Sequence, residues 1–180
     1  MVEIKSLANI HFDVLFESFA KAFADYEIQP DKTELQKMLH RRGFVPSLSF
    51  GAFDNGTLVS FTFNGIGFFN GVKTAYDTGT GTLKEYRGQG LASKVFNESI
   101  PFLVEAGIEQ YLLEVLQHNT SAVSVYRKQG FEVTREFNYF VQQMLNITPN
   151  TKSIYKDYSI CEVKLSDLAD ISNWWDFTPS

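Results

Sequence analysis

The residues best suited to chemistry by type and spacing form one short stretch, Tyr86-Arg87-Gly88-Gln89-Gly90-Leu91-Ala92. Upstream, Tyr76 to Thr82 is rich in threonine and alternates like a strand; downstream, Leu91 to Ala106 reads as a helix. The order is strand, glycine turn, helix. Two glycines remove the Cβ atoms that would hold a ligand away from the backbone. The first N–H groups of a helix have no partners within it, and the helix dipole favours negative charge there. Arg87 adds a fixed cation whose planar fork suits phosphate. The chemistry this permits is the binding of a phosphorylated ligand. A Gly-x-Gly turn alone carries that reading weakly, and a plain turn beside a surface arginine stays open as the alternative.

Arg87, Gly90 and Ala92 together form an Arg-x-x-Gly-x-Ala pattern that resembles the acetyl-CoA pyrophosphate loop of GNAT-type N-acetyltransferases. A second block agrees with it. Asn119, then Ala122, then Tyr126 before Gly130-Phe131 resembles the downstream motif of the same family, at the end of a short helix. The two motifs stand in the family's order with a strand between them, and the resemblance covers roughly residues 1–165. It implies a GNAT fold of the α/β class: a mixed, mostly antiparallel central sheet, splayed at the cofactor cleft and flanked by helices. It also implies acetyl-CoA as acetyl donor, no metal, and an acceptor amine on a small molecule or a peptide. Thr82 and Leu83, at the end of the strand against which the pantetheine arm lies in the family, are the expected cofactor contacts. With them come Arg87, Gly88, Gln89, Gly90, Leu91, Ala92, Asn119 and Tyr126.

Acetyl transfer from a thioester needs a neutral amine, a polarised carbonyl and a proton for the departing thiolate. A carboxylate can take the amine proton directly or through water, and a tyrosine hydroxyl can act as the acid at sulfur. Holding both reactants in one cleft accounts for most of the remaining rate. Glu114 is the first candidate base. Its spacing to Asn119 and Tyr126 resembles the ribosomal-protein alanine acetyltransferase branch of the family, where the glutamate takes the proton and the tyrosine gives one. Leu116 stands where that branch has arginine, which puts specificity for peptide termini in doubt. Asp77, on the strand entering the glycine turn, competes for the role of base, and Tyr126 is the candidate acid. A solvent-facing glutamate and a core tyrosine are the plain alternatives. His11, His40 and His118 stand apart with no ligand spacing.

With 180 residues, 44% hydrophobic and 15% aromatic, the chain suits one domain with a sizeable core. Some of its 17 phenylalanines should line a pocket. A net charge of −5 without a Lys/Arg cluster argues against nucleic acid and mildly favours a cationic or amine-bearing partner. The single cysteine, Cys161, excludes an intramolecular disulfide. No signal peptide opens the sequence and no apolar run is long enough to span a membrane, so the expected location is cytoplasmic. A homodimer is left open.

These side chains need elements to hold them. A first strand is expected over residues 2–7, then a helix from about Ile10 to Ala24, capped by Asn9, with Phe12, Leu15, Phe16, Phe19 and Phe23 at helical spacing. Asp31 and Glu34 form a capping box for a second helix that Gly43 ends. Three strands follow as a meander: Leu48 to Phe53, Thr57 to Gly65 and Val72 to Leu83, joined by turns at Asn55-Gly56 and Asn70-Gly71. Gly79 and Gly81 in the third mark either a bulge or the close approach of the cofactor arm, for which Gly81 would make room. The next helix should bury Leu91, Val95, Ser99, Phe102 and Ala106, and kink at Pro101. A strand over Gln110 to Leu116 returns parallel to the third by the right-handed crossover rule. Asn119 caps a helix from Thr120 to Gln129, and another strand is expected over Phe131 to Val141. A last strand over Tyr158 to Val163 closes the domain, 1–165. Residues 166–180 read either as a packed tail, the expected case, or as the start of a second domain, because Cys161-Glu162-Val163-Lys164 echoes Val2-Glu3-Ile4-Lys5. Two rivals remain to an N-acetyltransferase. One is a non-catalytic acyl-CoA sensor on the same fold. The other, a dinucleotide-binding domain, is disfavoured because its glycine turn follows the first strand of a parallel sheet, not a meander.

Overall fold

The computed structural model describes residues 2–26, 29–138 and 162. The expected strand at 158–163 and the tail from 166 fall outside them. Five strands form one sheet in chain order: β1 (Glu3–Ser6), β2 (Phe50–Asp54), β3 (Thr57–Phe69), β4 (Val72–Thr82) and β5 (Gln110–Leu112). The first three pairings are antiparallel and β4 with β5 is parallel, as the crossover rule requires. Helices α1 (Phe12–Ala22), α2 (Lys32–Arg41), α3 (Leu91–Glu105) and α4 (Thr120–Lys128) flank the sheet. None of the described helices is long and apolar enough to cross a membrane.

Local chemistry sets most boundaries. Asn55 and Gly56 take φ of 48° and 81°, and Asn70 and Gly71 take 52° and 77°, the paired positive values of hairpin turns that match strand twist. Asp31 accepts from the Glu34 N–H while the Glu34 side chain takes the Asp31 N–H, the reciprocal box expected. At α1 the cap is His11, not Asn9: its Nδ1 accepts from the Asp13 N–H at 3.3 Å. A short 3₁₀ turn, Pro46–Leu48, delays the start of β2 to Phe50.

The core lies between α1, α2 and the sheet and is built largely of rings. Phe19 packs against Phe23, Phe61 and Phe63 at centroid separations of 4.5, 6.2 and 6.4 Å. Leu15, Leu35, Leu39, Leu58 and Val59 join it, and the same buried cluster extends to Leu7, Phe50, Leu83, Leu91 and Val95. The buried face of α3 runs Leu91, Val95, Ser99, Leu103; Phe102, expected on it, is largely exposed.

The feature that makes the site is a short pairing. β4 meets β5 at only three positions, Thr74 with Gln110, Ala75 with Tyr111 and Tyr76 with Leu112. Among the described residues, β4 then continues to Thr82 paired with β3 alone. This is the expected splay. It also corrects two boundaries. The strand expected through Leu116 stops at Leu112, and residues 131–138 form no strand. A strand needs a ladder partner, and among the described residues nothing pairs with the outer edge of β5.

Candidate active site

Where β4 loses its β5 partner, α4 faces it across a cavity of about 400 Å³, within the range of small-ligand sites. Its floor carries Thr62 of β3 with Thr80, Gly81 and Thr82 of β4. One wall is α4 and its C-terminal cap, with Ala122, Val125, Tyr126 and Gln129. Asn119, Arg87 and Ala92 also line it, with Phe23 and Phe96 among its rings. Ala122, Val125, Tyr126 and Gln129 recur at i, i+3, i+4 and i+7, so one helix face turns to the cavity. That spacing could have singled out Val125 and Gln129 from the sequence. Thr62 could not be found so, because its place depends on the β3–β4 register, Thr62 opposite Thr80.

The glycine turn has the geometry its sequence called for. Gly88 and Gly90 take φ of 77° and 72°, and a Cβ at either would meet no atom within 4 Å. The glycines are needed for their backbone, and no side chain caps the start of α3. The turn is exposed and joins Arg87 to Ala92, two residues of the cavity wall. Leu83 and Leu91 point elsewhere and are buried in the core. The Arg87 fork is engaged within the chain: Nη2 donates to the Ala22 carbonyl at 2.8 Å and Nε to the Thr82 carbonyl at 3.1 Å. It ties the end of α1 to the end of β4.

On its side-chain side Gly81 makes room for the core. A Cβ there would lie 2.7 Å from the Phe61 ring and 2.9 Å from the Ala22 Cβ, so the space it leaves is filled by the protein's own core. A bulge is also present, since the β3–β4 register slips between Phe63 and Asn64 and leaves Thr78 as the extra residue.

Asn119 caps α4, accepting from the Ala122 N–H at 3.2 Å, and its amide lies 3.4 Å from the Tyr26 hydroxyl. Tyr126 sits on the inner face of α4. Gly130, at φ 89°, turns the chain so that Phe131 packs on Tyr126, with Phe96 and Tyr111 behind it at 5.5 and 5.6 Å. The Tyr126 hydroxyl donates to Asp77 Oδ2 at 3.2 Å. Burial, then the Asp77 charge, pushes the Tyr126 phenol far above its ordinary range. Asp77 also accepts from the Thr80 hydroxyl at 2.7 Å and the Gly79 N–H at 2.9 Å. Burial still pushes Asp77 above the usual carboxylate range, outweighing those hydrogen bonds and the Arg42 charge.

The two candidate bases are neighbours through shared partners. Glu114 stands exposed two residues beyond β5, not within a strand as expected, and shares a hydrogen bond with Tyr76. Arg42, donating to the Thr78 carbonyl at 3.1 Å, feels the charges of both Glu114 and Asp77. Neither carboxylate lines the cavity.

The profile of the Acetyltransferase (GNAT) family matches residues 12–131. N-alpha-acetyltransferase 30 of Schizosaccharomyces pombe is 30% identical over 119 residues, 63% of this chain and 79% of that protein. N-alpha-acetyltransferase MAK3 of Arabidopsis thaliana is 30% identical over 100 residues, 55% of this chain; the chain spans about half, 53%, of that relative's length. Among solved structures, a chain of the NatC complex bound to Gag peptide and CoA superposes with a TM-score of 0.63 at 20% identity, over 74% of this chain and 86% of that one. That likeness is one of fold. The profile reaches from the first residue of α1 to Phe131 beneath Tyr126 and so takes in the glycine turn, the splay and α4: the chain belongs to the acetyltransferase (GNAT) family.

Proposed function

We propose that the chain transfers an acetyl group from acetyl-CoA to a primary amine. The observation that carries this is the cavity between α4 and the end of β4 that β5 does not reach, entered beside a helix start that carries no side-chain cap. A pyrophosphate fits the turn at residues 88–92, where helix N–H groups and dipole favour an anion. The pantetheine arm would run along Thr82 and Leu83 toward Asn119 and Tyr126. Tyr126 is the acid for the departing thiolate. Glu114 is the base of first choice and Asp77 its rival. The N-alpha-acetyltransferase relatives favour a peptide's N-terminal amine over a small-molecule amine.

The test is a panel of peptides with free N-termini and of small primary amines, each incubated with acetyl-CoA while free thiol is followed, alongside calorimetry with acetyl-CoA alone. Acetyl-CoA binding with thiol release dependent on a peptide acceptor is expected. Release with small amines only would reassign the acceptor. Binding with no transfer to any amine would make the chain an acyl-CoA-binding module.

A further inference from the structure

Asp77 lines no part of the cavity, yet two side chains that do, Thr80 and Tyr126, both donate to its Oδ2. Its Oδ1 is taken by the Gly79 N–H. This carboxyl stands one hydrogen bond behind the hydroxyl assigned to acid catalysis. A phenol has one proton. With Asp77 ionised, that proton is held on Oδ2 and Tyr126 offers the cavity only lone pairs. With Asp77 protonated, the carboxyl can donate to the Tyr126 oxygen, and the phenol proton turns to the cavity.

We propose that Asp77 is a positioning residue that decides which way the Tyr126 proton points, and that Tyr126 acts as acid only while Asp77 holds a proton. This rests on the acetyltransferase reading and goes beyond it by coupling two residues that had been assigned separate roles. The C–S bond of the tetrahedral adduct breaks and its electron pair leaves on sulfur. Sulfur takes the Tyr126 proton, and the Tyr126 oxygen takes that of Asp77. The resulting Asp77 carboxylate, with Tyr126 donating to it, is the arrangement the structure holds. Asp77 regains a proton from water after the thiol leaves, while the amine's proton passes to Glu114 and from there to water, so the net change is one proton from nitrogen to sulfur.

The surroundings shift Asp77 toward its protonated form. Burial raises Asp77, and this outweighs Arg42, the cation facing it from the end of α2. The other titratable groups around it are Tyr76 on β4, Tyr111 on β5 and Tyr126 on α4, with Glu114 next along through Tyr76 and Arg42.

The experiment is a double-mutant cycle of Asp77→Asn and Tyr126→Phe, with acetyl-CoA and the acceptor of highest turnover, measured across pH. Tyr126→Phe should lower kcat about tenfold or more, the ordinary worth of a general acid. Asp77→Asn should lower it several-fold with the KM for acetyl-CoA within about twofold, and the double variant should be no slower than Tyr126→Phe. In the wild type kcat should fall on the alkaline side as Asp77 loses its proton, and both single variants should lack that limb. The acceptor's own ionisation shapes only the acidic side. If Asp77→Asn does not fold, Thr80→Val serves. It removes a bond that favours the Asp77 anion, so the limb should move to higher pH. An unmoved limb overturns the proposal. So do losses that multiply in the double variant, which would mean that Asp77 meets the substrate directly, with the acetyltransferase reading intact. Full activity of Tyr126→Phe overturns the coupling and the acid together. Absence of transfer by the wild type overturns the acetyltransferase reading itself.

Discussion

Glu114 and Asp77 compete for one proton at the residue scale, and their environments differ. Glu114 is exposed and can exchange protons with water; Asp77 has its oxygens taken by three donors. A base must reach the amine directly or through one water. Glu114→Gln is therefore expected to lose most of the activity and Asp77→Asn less, read as paired pH–rate profiles with one good acceptor. A dead Asp77→Asn beside an active Glu114→Gln would move the base to β4. Asp77 also predicts a pH dependence of stability. Its native pKa is raised, so between its ordinary value and the native one the folded state holds a proton that the unfolded state has lost. Unfolding free energy should fall as pH rises through that window, and Asp77→Asn should remove this part of the slope. Urea titrations of both proteins from about pH 4 to 8, spanning the ordinary carboxylate range upward, check it; a wild-type advantage that grows with pH would refute it.

At the scale of elements, two glycines of similar appearance do unlike jobs. Gly81 gives up its side chain so that α1 can lie on β4: the Phe61 ring and Ala22 Cβ leave no room for a methyl. Gly81→Ala should cost about 1–3 kcal/mol, as overpacking of a filled core does, measured by denaturant unfolding. Gly90 is open to its surroundings and is held only by its φ of 72°. Asp and Asn both tolerate that conformation, so Gly90→Asp should fold. It should nonetheless lose acetyl-CoA binding, because it sets a negative charge at the helix start where pyrophosphate is proposed. Gly90→Asn, alike in shape and uncharged, should keep more affinity; equal calorimetric affinities for the two would remove the charge argument. The sequence marked both glycines as special and left Gly81 between a bulge and the approach of the cofactor arm. What fills its space comes from β3 and α1, distant in the chain and unreadable from local pattern.

For the whole molecule, Arg87 is where fold and site share one side chain. Its guanidinium joins the last residue of α1 to the last of β4, the two ends that border the cavity. Arg87→Ala should lower stability by about 1–2 kcal/mol, the low end for hydrogen bonds from a half-exposed charge, and weaken acetyl-CoA binding with it. Arg87→Lys, which keeps charge but not the fork, should resemble Ala if the tether dominates. Thermal melts with and without acetyl-CoA separate the two: an unchanged melt without ligand would mean that the tether carries no stability.

The residues alone determined what depends on near neighbours. The Asn-Gly hairpins, the Asp31 box, the Asn119 cap, the strand–turn–helix at Gly88 and Gly90, and the parallel return of β5 all follow from torsions, caps and connection length within a few residues or one crossover. The tertiary structure decided what depends on pairing across the sheet. The β4–β5 ladder stops after three pairs, which opens the cavity and leaves Glu114 outside any strand. The β3–β4 register sets Thr62 beneath Thr80. The docking of α4 brings the Tyr126 hydroxyl to Asp77, 49 residues away in the chain. The physical reason is common to all three. Local rules fix backbone angles, but where two segments meet is set by burial summed over the whole sheet, which no single stretch of sequence contains.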